Sequence, residues 1–442
     1  MDLSRQSLSD CFPQPPNSPL ANLLLPSYNR PIPLATIAIL GTLDSKGAEF
    51  AFLADQIHQH RHQTLLIDVG SLGEPQIRPD IPRQEVARIA GMDLAAIMAT
   101  RDRGRCVEAM ARATPQVLAH LLEAGRIDAV ISLGGGGGTA IATAGMRALP
   151  IGFPKLMVST LASGNTAQYV GVKDIVMFPS IVDVSGLNRI SRQILTRAAG
   201  AICGMVEARV PEDAQARPLV VASMFGNTTA CVQHAQKILE KAGYEVLVFH
   251  STGIGGLTME SLIESGMVSG VLDITTTEWA DELVGGVLGA GPGRLEAAAR
   301  HGVPAIITPG CLDMVNFHAP ETVPEQFKGR TFYEHNPQVT LMRTTPEECA
   351  QLGRVLAEKI NLSTGPVTVL FPLKAISVIS APGQKFHDPA ADQALLDALR
   401  SNLRKDIELV EMDCEINDPA FAEACANSLL KNMKIHPQTV AK

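Results

Sequence analysis

The chain has 442 residues, a formal net charge of −8 at pH 7, 46% hydrophobic residues and 19% charged residues. This length predicts two or three domains, and the composition is typical of a globular protein with a filled core. The acidic balance and the aromatic content of 4% argue against a nucleic-acid partner, because such a surface needs a basic stripe or stacking platforms. No run of residues is long and apolar enough to predict a membrane span.

The eight cysteines are scattered and form no C-x-x-C pair. This pattern is typical of reduced thiols in a cytoplasmic protein rather than of a disulfide framework or a zinc site. Residues 1–33 are rich in proline and lack the apolar core of a signal peptide, so we predict a disordered extension there. The rest is predicted to form an N-terminal lobe over 34–209, a linker over 210–218 and a second lobe over 219–442.

The first elements after the extension predict a βαβ unit. An unbroken apolar run over 36–41 is typical of a buried parallel strand. A helical pattern follows over 48–60, and a second strand pattern over 63–69. The loop after the first strand therefore lies at the carboxyl edge of the sheet, where open α/β sheets bind ligands.

That loop reads Gly41-Thr-Leu-Asp-Ser-Lys-Gly47. Lys46 could reach a phosphate, and Asp44 could hold a magnesium ion. Capping of the following helix by Asp44 or Ser45 explains the same residues equally well.

Helices are predicted over 84–99 and 103–124, with Arg101-Asp-Arg-Gly-Arg105 between them. These arginines could contact an anion in a cleft or on a partner. A solvated surface is the commoner explanation for exposed charges.

Residues 128–139 read DAVISLGGGGGT and predict a short strand, a glycine turn and a helix over 139–147. Glycine allows close approach of a ligand and positive φ, and backbone N–H groups at a helix N-terminus bind anions such as phosphate. A flexible surface loop is the alternative, but the position between a strand and a helix favours a phosphate cradle. The residues assigned to it are Gly134, Gly135, Gly136, Gly137, Gly138 and Thr139.

A strand predicted over 155–160 ends in a second run of small polar residues, Ser159-Thr-Leu-Ala-Ser-Gly-Asn-Thr166. Loops at the carboxyl ends of neighbouring strands line one crevice. The second run therefore adds candidate nucleotide contacts, and the loop after the first strand forms the opposite wall. The residues are Ser163, Gly164, Asn165 and Thr166 on one side, and Gly41, Thr42, Asp44 and Lys46 on the other. A long helix over 186–208 closes the lobe.

The second lobe repeats the order of the first: strand, glycine turn, helix, strand and glycine turn over 219–256, then a strand over 268–273. This internal repeat predicts an α/β fold with two Rossmann-like lobes, each with a mainly parallel sheet flanked by helices. A cleft between such lobes is a natural ligand site.

Three polar clusters follow strands of the second lobe, at 273–282, 309–318 and 330–343. Acidic, histidine and asparagine side chains there could bind a metal or perform acid–base chemistry. Helix caps and solvated turns would explain any one of these clusters. They explain three successive clusters in one lobe less well. The candidate catalytic residues are Glu278, Asp313, His335 and Arg343. Cys311 could be a nucleophile, although a buried inert thiol is the better interpretation.

Five segments in combination resemble one family of bacterial and fungal proteins, related to the N-terminal ATP-binding domain of the tomato mosaic virus resistance protein. The segments are 39–47, 132–139, 159–166, 273–278 and 312–317. The resemblance implies two Rossmann-like subdomains, ATP binding in the first and homodimerisation; it implies no reaction.

The sequence therefore predicts a protein that binds ATP in its first lobe, with magnesium as a possible companion ion. Two alternatives remain open. One is an enzyme acting on a small acidic or carbonyl metabolite in the second lobe, with the nucleotide as substrate or regulator. The other is a regulatory or interaction protein whose dimer surface responds to ATP.

Overall fold

A computed structural model describes residues 34–70, 73–209 and 216–435 of the chain. The predicted extension over 1–33 lies outside the described residues. So do residues 210–215, which form most of the predicted linker.

The first lobe alternates strands with helices, as the apolar strand runs and amphipathic helix patterns predict. Its elements in chain order are β1 Thr36–Gly41, α1 Gly47–Gln59, β2 Gln63–Asp68, α2 Arg83–Ile89, α3 Leu94–Ala99, α4 Arg103–Glu123, β3 Ala129–Gly134, α5 Gly136–Arg147, β4 Lys155–Ser159, α6 Ala167–Val170, β5 Val176–Pro179 and α7 Arg189–Glu207.

The five strands form a parallel sheet in the order β2-β1-β3-β4-β5. Helices α1 and α7 pack on one face, and α4 and α5 on the other, so apolar clusters fill both sides. The chain order reverses between β1 and β3. Doubly wound sheets generally bind ligands at such a switch point, beyond the carboxyl ends of the two strands.

Three details of the first lobe differ from the sequence-based prediction. The helix predicted over 84–99 is two helices, because Gly91 takes a positive φ of 65° between them. The helix predicted from Thr139 begins at Gly136, so the last glycines form its first turn. The short strand β5 was not predicted.

The second lobe continues with β6 Leu219–Met224, α8 Thr229–Lys241, β7 Glu245–His250, α9 Ile254–Glu264, β8 Gly270–Thr275, α10 Glu278–Val284, α11 Glu296–Arg300, β9 Ala305–Gly310, β10 Met314–Phe317, β11 Phe332–Asn336, β12 Val339–Arg343, α12 Pro346–Ile360, β13 Val367–Pro372, α13 Pro389–Asn402, β14 Glu408–Met412 and α14 Pro419–Ile435.

Six strands of this lobe form a parallel sheet in the order β14-β13-β9-β8-β6-β7. Strands β7, β6 and β8 stand in the same relation as β2, β1 and β3, so the predicted repeat corresponds to a shared topology. Strands β10, β12 and β11 form a separate antiparallel sheet. The polar cluster predicted as a strand-end loop over 330–343 is therefore mostly strand. No helix in the described part of the chain is long and apolar enough to cross a membrane.

Candidate functional site

The glycine turn, residues 134–138, joins β3 to α5 at the carboxyl edge of the first sheet. Gly135 is the N-cap residue of α5, and no side chain among the described residues accepts a hydrogen bond from the first N–H groups of this helix. Gly136 is exposed, and Gly135 is half-buried. The first N–H groups of α5 therefore face a surface that a ligand can reach, at the positive end of the helix dipole.

Most glycines of the turn are required by neither backbone conformation nor packing. None of residues 134–138 is among the glycines with positive φ. A Cβ at Gly135, Gly136 or Gly138 would lie 3.7, 3.9 and 3.6 Å from its nearest neighbour, which is ordinary contact. By contrast, a Cβ at Gly41 would lie 2.3 Å from the Phe50 ring. Packing therefore explains Gly41, whereas Gly135, Gly136 and Gly138 need another explanation.

A polar cavity of about 340 Å³ lies beside the turn, at the carboxyl ends of β4 and β5. The Cβ position of Gly135 points toward Thr160 Oγ1 in its wall. The cavity is lined by residues of the first lobe alone, so it differs from the predicted cleft between lobes. These residues are Ser159, Thr160, Ser163, Ser180, Ile181, Val182 and Asp183.

The segment after β5 crosses from the cavity back to α1. Lys46 donates a hydrogen bond to the backbone carbonyl of Val184, and Gly186 N–H donates to Glu49 Oε1 at 2.6 Å. Ile181 has a φ of 66° and is 72% exposed. A β-branched residue in the left-handed region is strained, and such strain often marks a ligand site.

Only some of the other predicted nucleotide-binding residues of the first lobe lie at this cavity. Ser163 lines the cavity. Thr139 is fully buried, and its hydroxyl bonds Gly135 O and Ser159 Oγ at 2.8 and 2.7 Å. Asn165 Oδ1 accepts from Ala167 N–H at the start of α6. Thr139 therefore orders the turn from behind, and Asn165 orders the next loop.

Gly164 is exposed and Thr166 half-buried in that same loop, beyond the cavity wall. In the opposite loop, the Thr42 hydroxyl accepts a hydrogen bond from Ser45 Oγ at 3.2 Å. Asp44 faces the segment after β2, where it accepts from Gly73 N–H at 3.2 Å. The structure thus places Asp44 away from the glycine turn, while Lys46 reaches the segment that borders the cavity.

A buried ion pair lies at the end of β2, next to Asp44. Asp68 Oδ2 is 3.7 Å from Arg83 Nε, and both side chains are almost fully buried. Asp68 Oδ1 accepts from the N–H groups of Leu43 and Gly70. Burial raises the pKa of Asp68, against these hydrogen bonds and the Arg83 charge. The pair ties the loop after β1 to the loop after β2.

In the second lobe, Glu278 belongs to a buried cluster in which Arg294 contacts three carboxylates. We call it the Arg294 cluster; its acidic members are Glu260, Asp273 and Glu278. Arg294 is 1% exposed and donates to Glu278 Oε2 at 2.7 Å. It also contacts both oxygens of Asp273 at 2.6 Å and Glu260 Oε1 at 3.0 Å. Glu278 Oε1 accepts from the N–H groups of Gly253 and Gly256. Every oxygen of Glu278 is thus engaged inside the lobe.

Asp313 and Arg343 lie near each other, apart from the Arg294 cluster. Burial raises the pKa of Asp313 to about 6, although Arg343 and a 2.7 Å hydrogen bond from Ser377 oppose the shift. No residue that the structure describes forms a hydrogen bond with Asp313 Oδ1. Arg343 is held by Asp392 Oδ1 at 2.6 Å and by the Phe386 carbonyl at 2.9 Å.

His335 lies on β11, where it is exposed at the surface of the antiparallel sheet. Cys311 is fully buried, and burial raises its thiol pKa well above the usual value. This fits the inert thiol that the sequence favoured. The four predicted catalytic residues therefore do not form one group: only Asp313 and Arg343 are neighbours.

Sequence reasoning missed several residues of the cavity wall. Ser180 and Asp183 follow a four-residue strand too short to stand out. The sequence signal was weak: the apolar run 175–179 is followed by a polar residue, Ser180, as β4 is followed by Thr160. Arg294 was also missed, because its three carboxylate partners lie between 16 and 34 residues away in the chain.

Fold and site together define a two-lobed, Rossmann-like α/β protein with an open glycine turn in one lobe. The chain belongs to the Uncharacterised protein family (UPF0261). The model of that family's N-terminal domain matches residues 35–211, and the model of its C-terminal domain matches residues 217–433.

Similar proteins cover most of the chain. A UPF0261 protein of Clostridium tetani is 50% identical over 90% of this chain and 99% of its own length. A UPF0261 protein of Rhizobium meliloti is 48% identical over 88% of this chain and 96% of its own length. The ToMV resistance protein Tm-1(GCR237) of Solanum lycopersicum is 37% identical over 89% of this chain and 55% of its own length.

Among solved structures, a UDP-N-acetylglucosamine 2-epimerase from Rickettsia bellii shares 10% identity over 91% of this chain and 97% of its own. The TM-score is 0.21, which is too low to support an argument.

Proposed function

We propose that the chain binds a nucleotide, ATP, with its phosphates at the glycine turn. The observation that carries this proposal is the presence of glycines at 136 and 138 in the first turn of α5, where neither φ nor packing requires them. Glycine disfavours a helix by about 1 kcal/mol relative to alanine. Close approach of a ligand to the backbone offsets that loss, because a Cβ there would stand between the N–H groups and an anion.

The polar cavity supports the proposal by offering room for the rest of the ligand. Its volume of about 340 Å³ falls in the usual range for small-molecule pockets. Hydroxyl groups of Thr160, Ser163 and Ser180 line it and match the hydrogen-bonding groups of a ribose or base. ATP is the nucleotide that the family resemblance implies.

Magnesium is proposed as an ion carried by the nucleotide. Within the described ranges, no group of three or more His, Cys, Asp or Glu side chains could hold a metal ion alone. Magnesium needs only one or two carboxylates when phosphate oxygens and water complete its octahedron. Asp183 lines the cavity and would supply one carboxylate.

Calorimetric titration of the full chain with ATP, with and without magnesium, tests the proposal. We expect saturable binding, strengthened by magnesium in the wild type. An Asp183→Asn variant should lose most of the magnesium effect while still binding ATP. Absence of binding heat and of thermal stabilisation at millimolar ATP would contradict nucleotide binding.

Catalysis in the second lobe has less support, because Glu278 and Arg343 are engaged in internal ion pairs.

Homodimerisation, which the family resemblance implies, is kept as a proposal. Light scattering with and without ATP measures it. A change in mass on adding ATP would favour the regulatory alternative, in which the dimer surface responds to the nucleotide.

A further inference from the structure

Helices α4 and α5 run parallel, with both N-termini at the edge of the sheet that carries the glycine turn. Near their starts, a Cβ at Gly137 would lie 3.3 Å from Val107 Cγ2. Further along both helices, Thr114 Oγ1 donates to the Ile141 carbonyl at 2.9 Å. Because later residues of α4 contact later residues of α5, the two helices run in the same direction. The first turn of α4 therefore extends beyond the glycine turn.

Arg103 is the first residue of α4 and stands four residues before Val107. Residues four apart share a helix face, and the rise of 1.5 Å per residue places Arg103 about 6 Å beyond the level of Val107. Arg103 thus lies on the α5 side of α4, outward from the glycine turn. Arg105 is two residues from Val107, which places it on the opposite face.

The charges at the two helix starts are complementary to a bound anion. The N-terminus of α4 is capped by Asp102, whose Oδ1 accepts from Arg105 N–H at 3.1 Å. The N-terminus of α5 has no side-chain cap within the described part of the chain. Arg103 is exposed, and across the described ranges it takes part in no ion pair. An anion on α5 therefore has an unengaged guanidinium at its outer end.

We propose that Arg103 binds the terminal phosphates of the nucleotide, so that the site selects a nucleoside triphosphate over a monophosphate. This inference rests on the proposed function. The α5 N-terminus holds the inner phosphate, and the chain of phosphates extends outward toward Arg103. Guanidinium groups bind phosphate oxygens through paired, charge-assisted hydrogen bonds.

The test compares Arg103→Gln with Arg105→Gln, a matched control of the same charge, helix and exposure. ATP and AMP are titrated against the full-length wild type and both variants, and thermal unfolding checks that each variant is folded. We expect Arg103→Gln to weaken ATP binding about tenfold, the usual effect of losing one charge-assisted hydrogen bond, and AMP binding less than twofold. We expect Arg105→Gln to change neither affinity by more than twofold.

Selective loss of ATP affinity in Arg103→Gln alone supports the inference. Equal loss for ATP and AMP, no loss, or the same loss in Arg105→Gln overturns it while leaving nucleotide binding intact. If the wild type binds neither nucleotide, the proposed function fails, and the role of Arg103 fails with it.

Discussion

Helices α5 and α9 begin in corresponding lobes with similar glycine-rich segments, but their N-termini meet different partners. At α9, the N–H groups of Gly253 and Gly256 donate to Glu278 Oε1 at 2.9 and 3.0 Å. At α5, none of the side chains that the structure describes caps the helix, and the glycine turn adjoins an open polar cavity. One helix dipole is satisfied by the chain's own carboxylate, and the other is open to an external anion.

The glycines of the two segments also differ in how much space surrounds them. A Cβ at Gly255 would lie 1.7 Å from the His250 carbonyl oxygen, and one at Gly256 would lie 2.3 Å from Glu278. At Gly135 and Gly136 the nearest atoms are 3.7 and 3.9 Å away. Packing thus explains Gly255 and Gly256, whereas neither packing nor a positive φ explains Gly135 and Gly136. A glycine-rich strand end indicates a binding site only when the space around it is free.

The largest expected effect comes from removing the cation of the Arg294 cluster. Arg294→Met leaves Asp273, Glu260 and Glu278 buried without their common partner. Breaking a buried ion pair in this way lowers the free energy of unfolding by about 3–5 kcal/mol. Chemical denaturation measures the loss, and Arg300→Met, an exposed neighbour, should lose less than about 1 kcal/mol. A stable Arg294→Met variant would show that the cluster is not structural.

The next effect compares the third residues of the two helices, Gly256 in α9 and Gly138 in α5. Gly256→Ala drives a methyl group into Glu278 and should destabilise the protein by about 3 kcal/mol, as overpacking does. Gly138→Ala meets only ordinary contacts and gains helix propensity, so its unfolding midpoint should stay or rise. Equal destabilisation by both substitutions would remove the contrast between the lobes.

A smaller effect concerns pH and the second lobe. Burial raises the pKa of Asp281 to about 7, although Asn316 donates two hydrogen bonds to it. Because the folded pKa exceeds the usual 3.8, this group stabilises the fold fully below about pH 4. That stability is lost as pH rises through 7, by up to about 1.4 kcal/mol per pH unit.

Asp281→Asn cannot titrate and should flatten this dependence between pH 5 and 7. Thermal unfolding at a series of pH values measures it, with the exposed Asp55→Asn as a control for net charge. A variant with the same slope as the wild type would assign the pH dependence to other groups.

Most of the order of strands and helices in the two parallel sheets could be predicted, because most of those strands are apolar and end in glycine or polar turns. The glycine turn itself was found for the same reason. Two details of the predicted turn were wrong, however. None of its glycines has a positive φ, and the helix begins three residues before Thr139. Sequence alone does not tell whether a glycine is free or packed.

The roles of charged residues were harder to predict, because they depend on distant partners. Glu278 reads as a catalytic carboxylate until Arg294 and the α9 N-terminus are placed around it. His335 was expected in a strand-end loop, but the segment forms the antiparallel sheet. Asp183 became a candidate only when the fold brought its segment beside β4.

The most direct test of the central claim is the paired measurement of stability and ATP affinity in Gly136→Ala. Gly204→Ala serves as the control, because Gly204 lies in α7 with no atom within 4 Å of its Cβ position. We predict that both variants unfold at the wild-type midpoint or above it, since alanine favours a helix by about 1 kcal/mol. We predict that only Gly136→Ala loses ATP affinity, by about tenfold or more. Unchanged ATP affinity in a folded Gly136→Ala variant would contradict phosphate binding at the glycine turn.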